Sequence, residues 1–462
     1  MGLRNESANG ALYTQQGRIF KHGLEEKRVD AVPVVTREDF VSEDEFRESV
    51  EATLQSCAER LEKAKEQQLG YPISQISNQG IDFSPLSRFR GYAINNVGDP
   101  STSSQMQSNT HDFELGVLRW FCELWELDEE EMWGYISTGG TESNLQGLFV
   151  ARECFPDGIL YTSDQTHFSV YKAATLLKLQ TIIIGTSEKG EIIYDELQRQ
   201  LEQNVDHSAI LNVNYGTTMF GAIDKPELVV DCLHRAGYSD KRFYIHVDAA
   251  LSGIYVPLIK NGAPILSFRK LPISSSAISG HKFLGLPFPA GVIIIRRKFV
   301  ENLGKDIEYI FTKDLTLTCS RNGHAALYFW YMLCQLGTSQ VLKDAERCIE
   351  HAKRLTAKLQ MNNINAWVNP FSITVVFERP QEIDFVKSWQ LACQGRYCHV
   401  VIMPHLKWDT LETFADELIH CINHQTLSSP VAALREKPSA QAIHFIQECQ
   451  KKIATSRRPS CP

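Results

Sequence analysis

An amine and a carboxylate stand in one region of this sequence, each closing a run of apolar and β-branched residues. The amine is Lys282 of Ser279-Gly280-His281-Lys282, and the carboxylate is Asp248 of His246-Val247-Asp248-Ala249. A lysine that forms a Schiff base and an aspartate that holds a pyridinium proton are the two protein groups pyridoxal phosphate most needs. Each has a plainer alternative when taken alone. Lysine follows histidine often by chance, and an aspartate after a strand commonly serves as a turn or helix-capping residue.

Two further segments bear on the choice. Ser137-Thr138-Gly139-Gly140-Thr141-Glu142-Ser143-Asn144 leads into an apolar-periodic stretch, Leu145 to Arg152. Paired glycines let a backbone approach a phosphate, and the helix start behind them supplies free N–H groups and a favourable dipole. By itself the segment reads as a glycine turn with Thr141 as N-cap; beside a cofactor lysine it reads as a phosphate site. His167 follows an expected strand by a short loop, where its imidazole would reach the cofactor ring or else cap a helix.

These groups need a scaffold that brings loops together, and the alternation along the chain supplies one. Short apolar runs at 158–162, 181–184, 209–213, 242–247, 274–278 and 291–295 are separated by helical stretches such as 168–177 and 194–203. Such alternation predicts a mainly parallel sheet covered on both faces, with ligands gathering beyond the carboxyl ends of its strands. Asp248, His281 and Lys282 all fall at those ends. An amphipathic helix is expected over 43–68, another over 112–127 with His111 before it as a capping residue or else facing the substrate entrance, and helices over 325–336 and 340–359. Strands at 372–378 and 399–403 then suggest a smaller α+β domain. A Ser/Pro-rich tail with one helical stretch, 440–453, ends the chain.

Composition narrows the classes. The 462 residues are 43% apolar and carry 47 Lys and Arg against 55 Asp and Glu, a net charge of -8 without a basic stripe. Nucleic acid is therefore not an expected partner. The twelve cysteines are scattered singly, with no Cys-x-x-Cys pair and no histidine at zinc-ligand spacing. They predict thiols of a reducing compartment and no metal site. The first residues lack an apolar signal core, and no apolar run approaches the ~18 residues of a membrane span. A soluble, cytoplasmic protein is expected.

In order along the chain, Gly139-Gly140-Thr141-Glu142, Thr166-His167-Phe168-Ser169-Val170-Tyr171-Lys172-Ala173, Asn214-Tyr215-Gly216-Thr217-Thr218, Asp248-Ala249-Ala250-Leu251-Ser252-Gly253 and Ser279-Gly280-His281-Lys282 occur together. The set resembles the group II pyridoxal-phosphate-dependent amino-acid decarboxylases, within them most the bacterial histidine and plant serine decarboxylases. The likeness runs from Gly70 to Met403. It implies an α/β protein of fold type I, aspartate-aminotransferase-like, with a mainly parallel seven-stranded sheet in a large domain and a smaller C-terminal α+β domain. The corresponding boundaries are an arm and helix at 1–90, the large domain at 91–320, the small domain at 321–425 and a tail at 426–462.

The resemblance implies that Lys282 carries the cofactor, Asp248 pairs with its pyridine nitrogen and His167 stacks on its ring beside the substrate. Gly140, Thr141, Ser279 and His281 would hold the phosphate, with Thr217 or Thr218 near the cofactor. Tyr309 matches the loop tyrosine that returns a proton after carbon dioxide leaves; its alternative is an ordinary amphipathic aromatic. Ser320 would reach substrate across a homodimer interface, or cap the following helix. In its loop Cys319 stands where relatives usually have glycine.

The implied reaction is α-decarboxylation of an L-amino acid to its amine and carbon dioxide. Ile73, in Gly70-Tyr71-Pro72-Ile73, stands where plant serine enzymes usually place an aromatic, and an aliphatic there leaves room for an imidazole. Together with the 248–253 segment this favours histidine to histamine, with serine to ethanolamine as the alternative. Phe377-Glu378-Arg379-Pro380 and Val401-Ile402-Met403-Pro404 look plant-like. Transamination or aldol-type cleavage at the same cofactor, and a non-catalytic regulatory subunit of this fold, are the competing classes.

Overall fold

The computed structural model describes residues 31–32, 34–75, 80–102, 104–259, 262–310 and 312–428. The stretch expected to be helical at 440–453 lies outside the described residues. The chain divides into two compact units, 1–64 and 65–462. Helix α1, Glu43–Glu66, begins in the first with Glu43, Asp44 and Glu45 in its opening turn, where acidic side chains suit the helix dipole. Its apolar positions Leu54 and Leu61 are exposed.

The second unit starts its regular structure with α2, His111–Leu124. There follow β1 Met132–Ser137, α3 Gly140–Cys154, β2 Ile159–Ser163, α4 Phe168–Leu177, β3 Gln180–Ile184, α5 Tyr194–Gln203, β4 Ala209–Asn214, α6 Pro226–Arg235, β5 Phe243–Asp248, β6 Ser275–Ser279 and β7 Gly291–Arg296. The seven strands form one sheet in the order β1-β7-β6-β5-β4-β2-β3. Every pairing from β6 through β3 is parallel, and only β7 runs against its neighbours. Parallel neighbours need long crossovers, and helices supply them on both faces.

Both faces are buried, so the central strands carry apolar residues in unbroken runs. One face of β5 gives Phe243, Ile245 and Val247 to the larger core. The opposite face gives Tyr244 to a second core that includes Leu148 of α3 and Val170 and Ala173 of α4. Side chains alternate along a strand, so His246 and Asp248 share the face of Tyr244, under α3 and α4. Fully burying each aliphatic side chain here stabilises the sheet by roughly 1.5–3 kcal/mol.

Beyond β7 come the antiparallel hairpin β8 Lys305–Ile307 and β9 Thr312–Asp314, then α7, Gly323–Met361. A break in α7 was expected between residues 336 and 340. The helix kinks at Gly337, whose φ of 60° is one that side-chain-bearing residues rarely adopt. A smaller antiparallel sheet of β10 Ala366–Val368, β11 Thr374–Glu378, β12 Ala392–Gln394 and β13 Tyr397–Val401 follows in the order β10-β11-β13-β12. Helices α8, Ile383–Ser388, and α9, Trp408–Ser428, complete the described chain.

Three capping expectations are corrected. Thr141 is not the N-cap of α3, because Gly139 takes that position and the helix starts two residues earlier than such a cap would give. His111 does not precede α2 but is its first residue, with Thr110 as N-cap, and is buried. Asn322, not Ser320, caps α7, its side-chain oxygen accepting from His324 N at 3.0 Å. No helix among the described residues is long and apolar enough to cross a membrane.

Candidate active site

The start of α3 meets the end of β6 with almost no space between them. Gly139 has φ of 144°, and a Cβ on Gly140 would lie 2.7 Å from Ser279 Oγ and 3.5 Å from the Ala250 side chain. A Cβ on Gly139 would touch the His281 ring at 3.5 Å. The paired glycines thus bring free N–H groups of a helix start against Ser279 and His281, an arrangement suited to an anion. His281 is fixed from behind by contacts of its Nδ1 with the backbone of Ala290 at 3.2 and 3.3 Å. Thr141 is exposed at the rim.

Asp248 ends β5 on the face that α3 and α4 cover. Its Oδ2 accepts from Asn144 Nδ2 at 2.7 Å, and its Oδ1 accepts from Ala250 N at 3.3 Å. Lys282 follows β6 in a tight turn in which its N–H donates to Ser279 O at 3.3 Å. Burial holds the Lys282 amine below its ordinary pKa, while the Asp248 charge pulls the other way. Burial also lowers the pKa of His167; Asp248 opposes that shift, and Lys282 and Lys172 add to it. Lysine, aspartate and imidazole therefore stand within electrostatic reach of one another. His167 is the N-cap of α4, and its Nδ1 accepts from Ser169 N at 3.3 Å. The capping reading is correct in geometry, and it is compatible with a ring at the site.

Other expected residues do not converge on Lys282 within the described chain. Tyr309 lies in the turn Glu308–Ile310 between β8 and β9 and is 77% exposed. Its hydroxyl is 3.9 Å from Cys319 Sγ, a contact that raises the phenol's pKa. Ser320 is exposed, and its Oγ accepts from Asn95 Nδ2 at 3.1 Å. The next residue, Arg321, is buried in an ion pair with Glu114, whose carboxylate also accepts from Ile136 N at 2.7 Å. That pair ties the Ser320 loop to β1. Thr217 is occupied in its own turn, accepting from Ala222 N at 3.0 Å, and Thr218 is exposed. Ile73 is exposed, but the N–H of its neighbour Ser74 donates to Lys282 O at 3.2 Å, which brings the two backbones together.

Residues 95–377 match the family model described as the pyridoxal-dependent decarboxylase conserved domain. The chain belongs to the pyridoxal-dependent decarboxylase family. It is 45% identical to serine decarboxylase 2 of Oryza sativa subsp. japonica over 76% of this chain and 73% of the relative. It is 42% identical to a histidine decarboxylase of Solanum lycopersicum over 84% of this chain and 92% of the relative. In fold it is similar to the crystal structure of L-methionine decarboxylase from Streptomyces sp. 590, with a TM-score of 0.72 at 24% identity over 85% of this chain and 98% of that one. The protein is a pyridoxal-phosphate-dependent amino-acid decarboxylase, a carboxy-lyase, and the regulatory-subunit alternative finds no support.

The decarboxylase's own side chains fit the cofactor. A glycine cradle at a helix start suits the phosphate, and a carboxylate at the floor suits a protonated ring nitrogen. An amine whose pKa is lowered suits capture of an aldehyde. Sequence reading did not assign the residues directly behind Asp248, namely Asn144, Ser169, His246 and Ser275. Two spacings would have found Asn144 and His246. Asn144 lies four residues after Gly140, hence on the same side of α3, and His246 lies two before Asp248, hence on the same face of β5.

Proposed function

We propose that this decarboxylase converts L-histidine to histamine. The carrying observation is the bond from Ser74 N to Lys282 O at 3.2 Å, which holds Ile73 beside the lysine's backbone. An aliphatic wall leaves width for an imidazole and offers nothing to a serine hydroxyl, which a selective site would have to hydrogen-bond. Serine to ethanolamine is the second reading, favoured by the 45% identity to the rice serine decarboxylase. An equimolar amino-acid panel with mass-spectrometric detection of amines decides between them. Histamine should exceed ethanolamine at least tenfold, and the reverse ratio assigns serine. Narrowing the wall with Ile73→Tyr should lower kcat/KM for histidine by about tenfold or more while changing that for serine less.

In this reading the cofactor, once bound, takes up the electrons that carbon dioxide leaves behind. Lys282 holds and releases it, Asp248 keeps its ring nitrogen protonated, and Gly140, Thr141, Ser279 and His281 hold its phosphate. His167 would stack on the ring beside the substrate. Thr217 or Thr218 would stand close to the cofactor. Tyr309, whose phenol stays protonated, delivers the proton to the α-carbon.

We also propose a homodimer with shared sites, in which Tyr309 and Ser320 serve the partner's lysine. Their exposure, and that of Leu54 and Leu61 on α1, supports this. Tyr309→Phe should slow turnover about 10²-fold with the cofactor retained. Co-expressing Lys282→Ala with Tyr309→Phe should then restore about a quarter of wild-type activity, because half of the dimers have one intact site. No recovery would place Tyr309 in its own chain's site. We further propose an arm at 1–90, a cofactor-binding domain at 91–320, a small domain at 321–425 and a tail at 426–462. The singly placed cysteines support a cytoplasmic location.

A further inference from the structure

Behind the cofactor floor lies a buried polar network that the proposed roles leave unused. Asn144, Ser169, His246 and Ser275 are each no more than 1% exposed. Asn144 is the junction. Its Nδ2 donates to Asp248 Oδ2 at 2.7 Å and to Ser169 Oγ at 3.1 Å, and its Oδ1 lies 3.0 Å from His246 Nε2. His246 Nδ1 lies 2.8 Å from Ser275 Oγ, and His167 Nδ1 lies 2.7 Å from Ser169 Oγ. Packing is adapted to this arrangement, since a Cβ on Gly147 would fall 2.5 Å from His246 Nδ1.

The donors and acceptors can be assigned in sequence. An ionised carboxylate only accepts, so the Asn144 amide must face Asp248 with its NH₂ group. That leaves Oδ1 toward His246, whose Nε2 must therefore carry the hydrogen, and Ser275 donates to Nδ1. The second Asn144 hydrogen goes to Ser169 Oγ, which directs the serine's own proton to His167 Nδ1. A backbone N–H also donates to that nitrogen, from Ser169 at 3.3 Å. With two donors on Nδ1, the imidazole carries its proton on Nε2.

We infer that Asn144 is a positioning residue that reads the ionised Asp248 and, through Ser169, fixes His167 as the neutral Nε2–H tautomer. The inference rests on Asp248 and His167 serving the cofactor as proposed. One amide thereby links the group beneath the ring nitrogen to the group on the ring's face, and His167 presents a hydrogen-bond donor on its free nitrogen. His246 cannot usurp the Asp248 charge, because burial lowers its pKa to about 4 and it stays neutral. The charged groups that act on His167 are Asp248 from β5, Lys282 from the turn after β6 and Lys172 from α4. Protonating Nδ1 would turn a nitrogen that accepts from two donors into a third donor. Freeing the Ser169 hydroxyl removes much of that penalty, so the His167 pKa should rise.

The test is ¹⁵N NMR of histidine-labelled full-length protein, with and without pyridoxal phosphate, the His167 signals assigned by their loss in His167→Gln. Wild type should show an unprotonated Nδ1 and a protonated Nε2 near neutral pH. Asn144→Leu and Ser169→Ala should each raise the His167 pKa by about one pH unit, and the double variant should add nothing to the larger effect. Ser169→Ala removes a single hydroxyl and keeps the test available if Asn144→Leu does not fold. A wild-type Nδ1–H tautomer overturns the inference, as does an unmoved pKa in the folded variants, even where thermal stability falls. In the loaded enzyme the acid limb of kcat/KM should move up in pH with the NMR value. If no amino acid yields an amine, the functional reading fails while the spectra of the cofactor-free protein still judge the network.

Discussion

Replacing Lys282 with alanine should lower amine formation by at least about 10⁴-fold while leaving the fold intact. The side chain is only half-buried and closes no part of either apolar core, so its loss should cost little stability. The chemistry depends on it in two ways. In the proposed role Lys282 would hold the cofactor's aldehyde and give it up to substrate, and both would need its nitrogen uncharged at some point. Burial lowers the Lys282 pKa, which raises the uncharged fraction near neutral pH above that of a solvated lysine. Capture of pyridoxal phosphate by cofactor-free protein should therefore quicken as pH rises through that lowered value, and Lys282→Ala should abolish the accompanying absorbance band. Borohydride treatment and peptide mapping should find the cofactor on nitrogen 282 in wild type. Turnover near wild type in the variant, or an unmodified Lys282 in fully loaded protein, would remove the basis of the mechanism.

The large sheet was legible because both of its faces are buried. Runs such as Ile159 to Tyr161 and Val292 to Ile295 are apolar throughout and flanked by turns, so the ends of their strands were placed within one or two residues. Strand β1 was not anticipated. Its sequence, Met-Trp-Gly-Tyr-Ile-Ser, lacks a β-branched run, and Gly134 is tolerated because a Cβ there would lie 2.2 Å from Ile293 O on the neighbouring strand. The hairpin of β8 and β9 was missed because three-residue strands leave no periodicity to read, and the short strands β10 and β12 escaped for the same reason. At the site, residues that end strands could be placed from sequence, as Asp248 and Lys282 were. Those acting from within buried elements could not: Asn144 and His246 look like ordinary core polar residues until their partners, about a hundred positions apart, are seen to meet. The exposed placement of Tyr309 was equally hidden, since a loop's sequence does not say where it projects.

Asp248→Ala should reduce turnover about 10³-fold, the scale expected when a preorganised charge opposite a developing one is removed. The loss should separate into two parts. In the proposed role Asp248 would keep the ring nitrogen protonated, and without it that nitrogen would lose its proton near neutral pH and draw off electrons poorly. In addition, the Asn144 amide loses the partner that sets its direction, since the 2.7 Å bond to Oδ2 is its only hydrogen bond to a carboxylate among the described residues. A cofactor methylated on the ring nitrogen carries a permanent positive charge and needs no carboxylate to keep it. Reconstituting Asp248→Ala with that analogue should recover much of the first part, at least tenfold, and none of the second. Asp248→Asn should be no better than alanine, because an amide can present a hydrogen to Asn144 and reverse the donors along the network. Full recovery with the methylated cofactor would confine Asp248 to holding the ring proton; no recovery would show that its charge acts elsewhere. Measuring both variants with the analogue therefore separates the carboxylate's effect on the cofactor from its effect on the residues behind it.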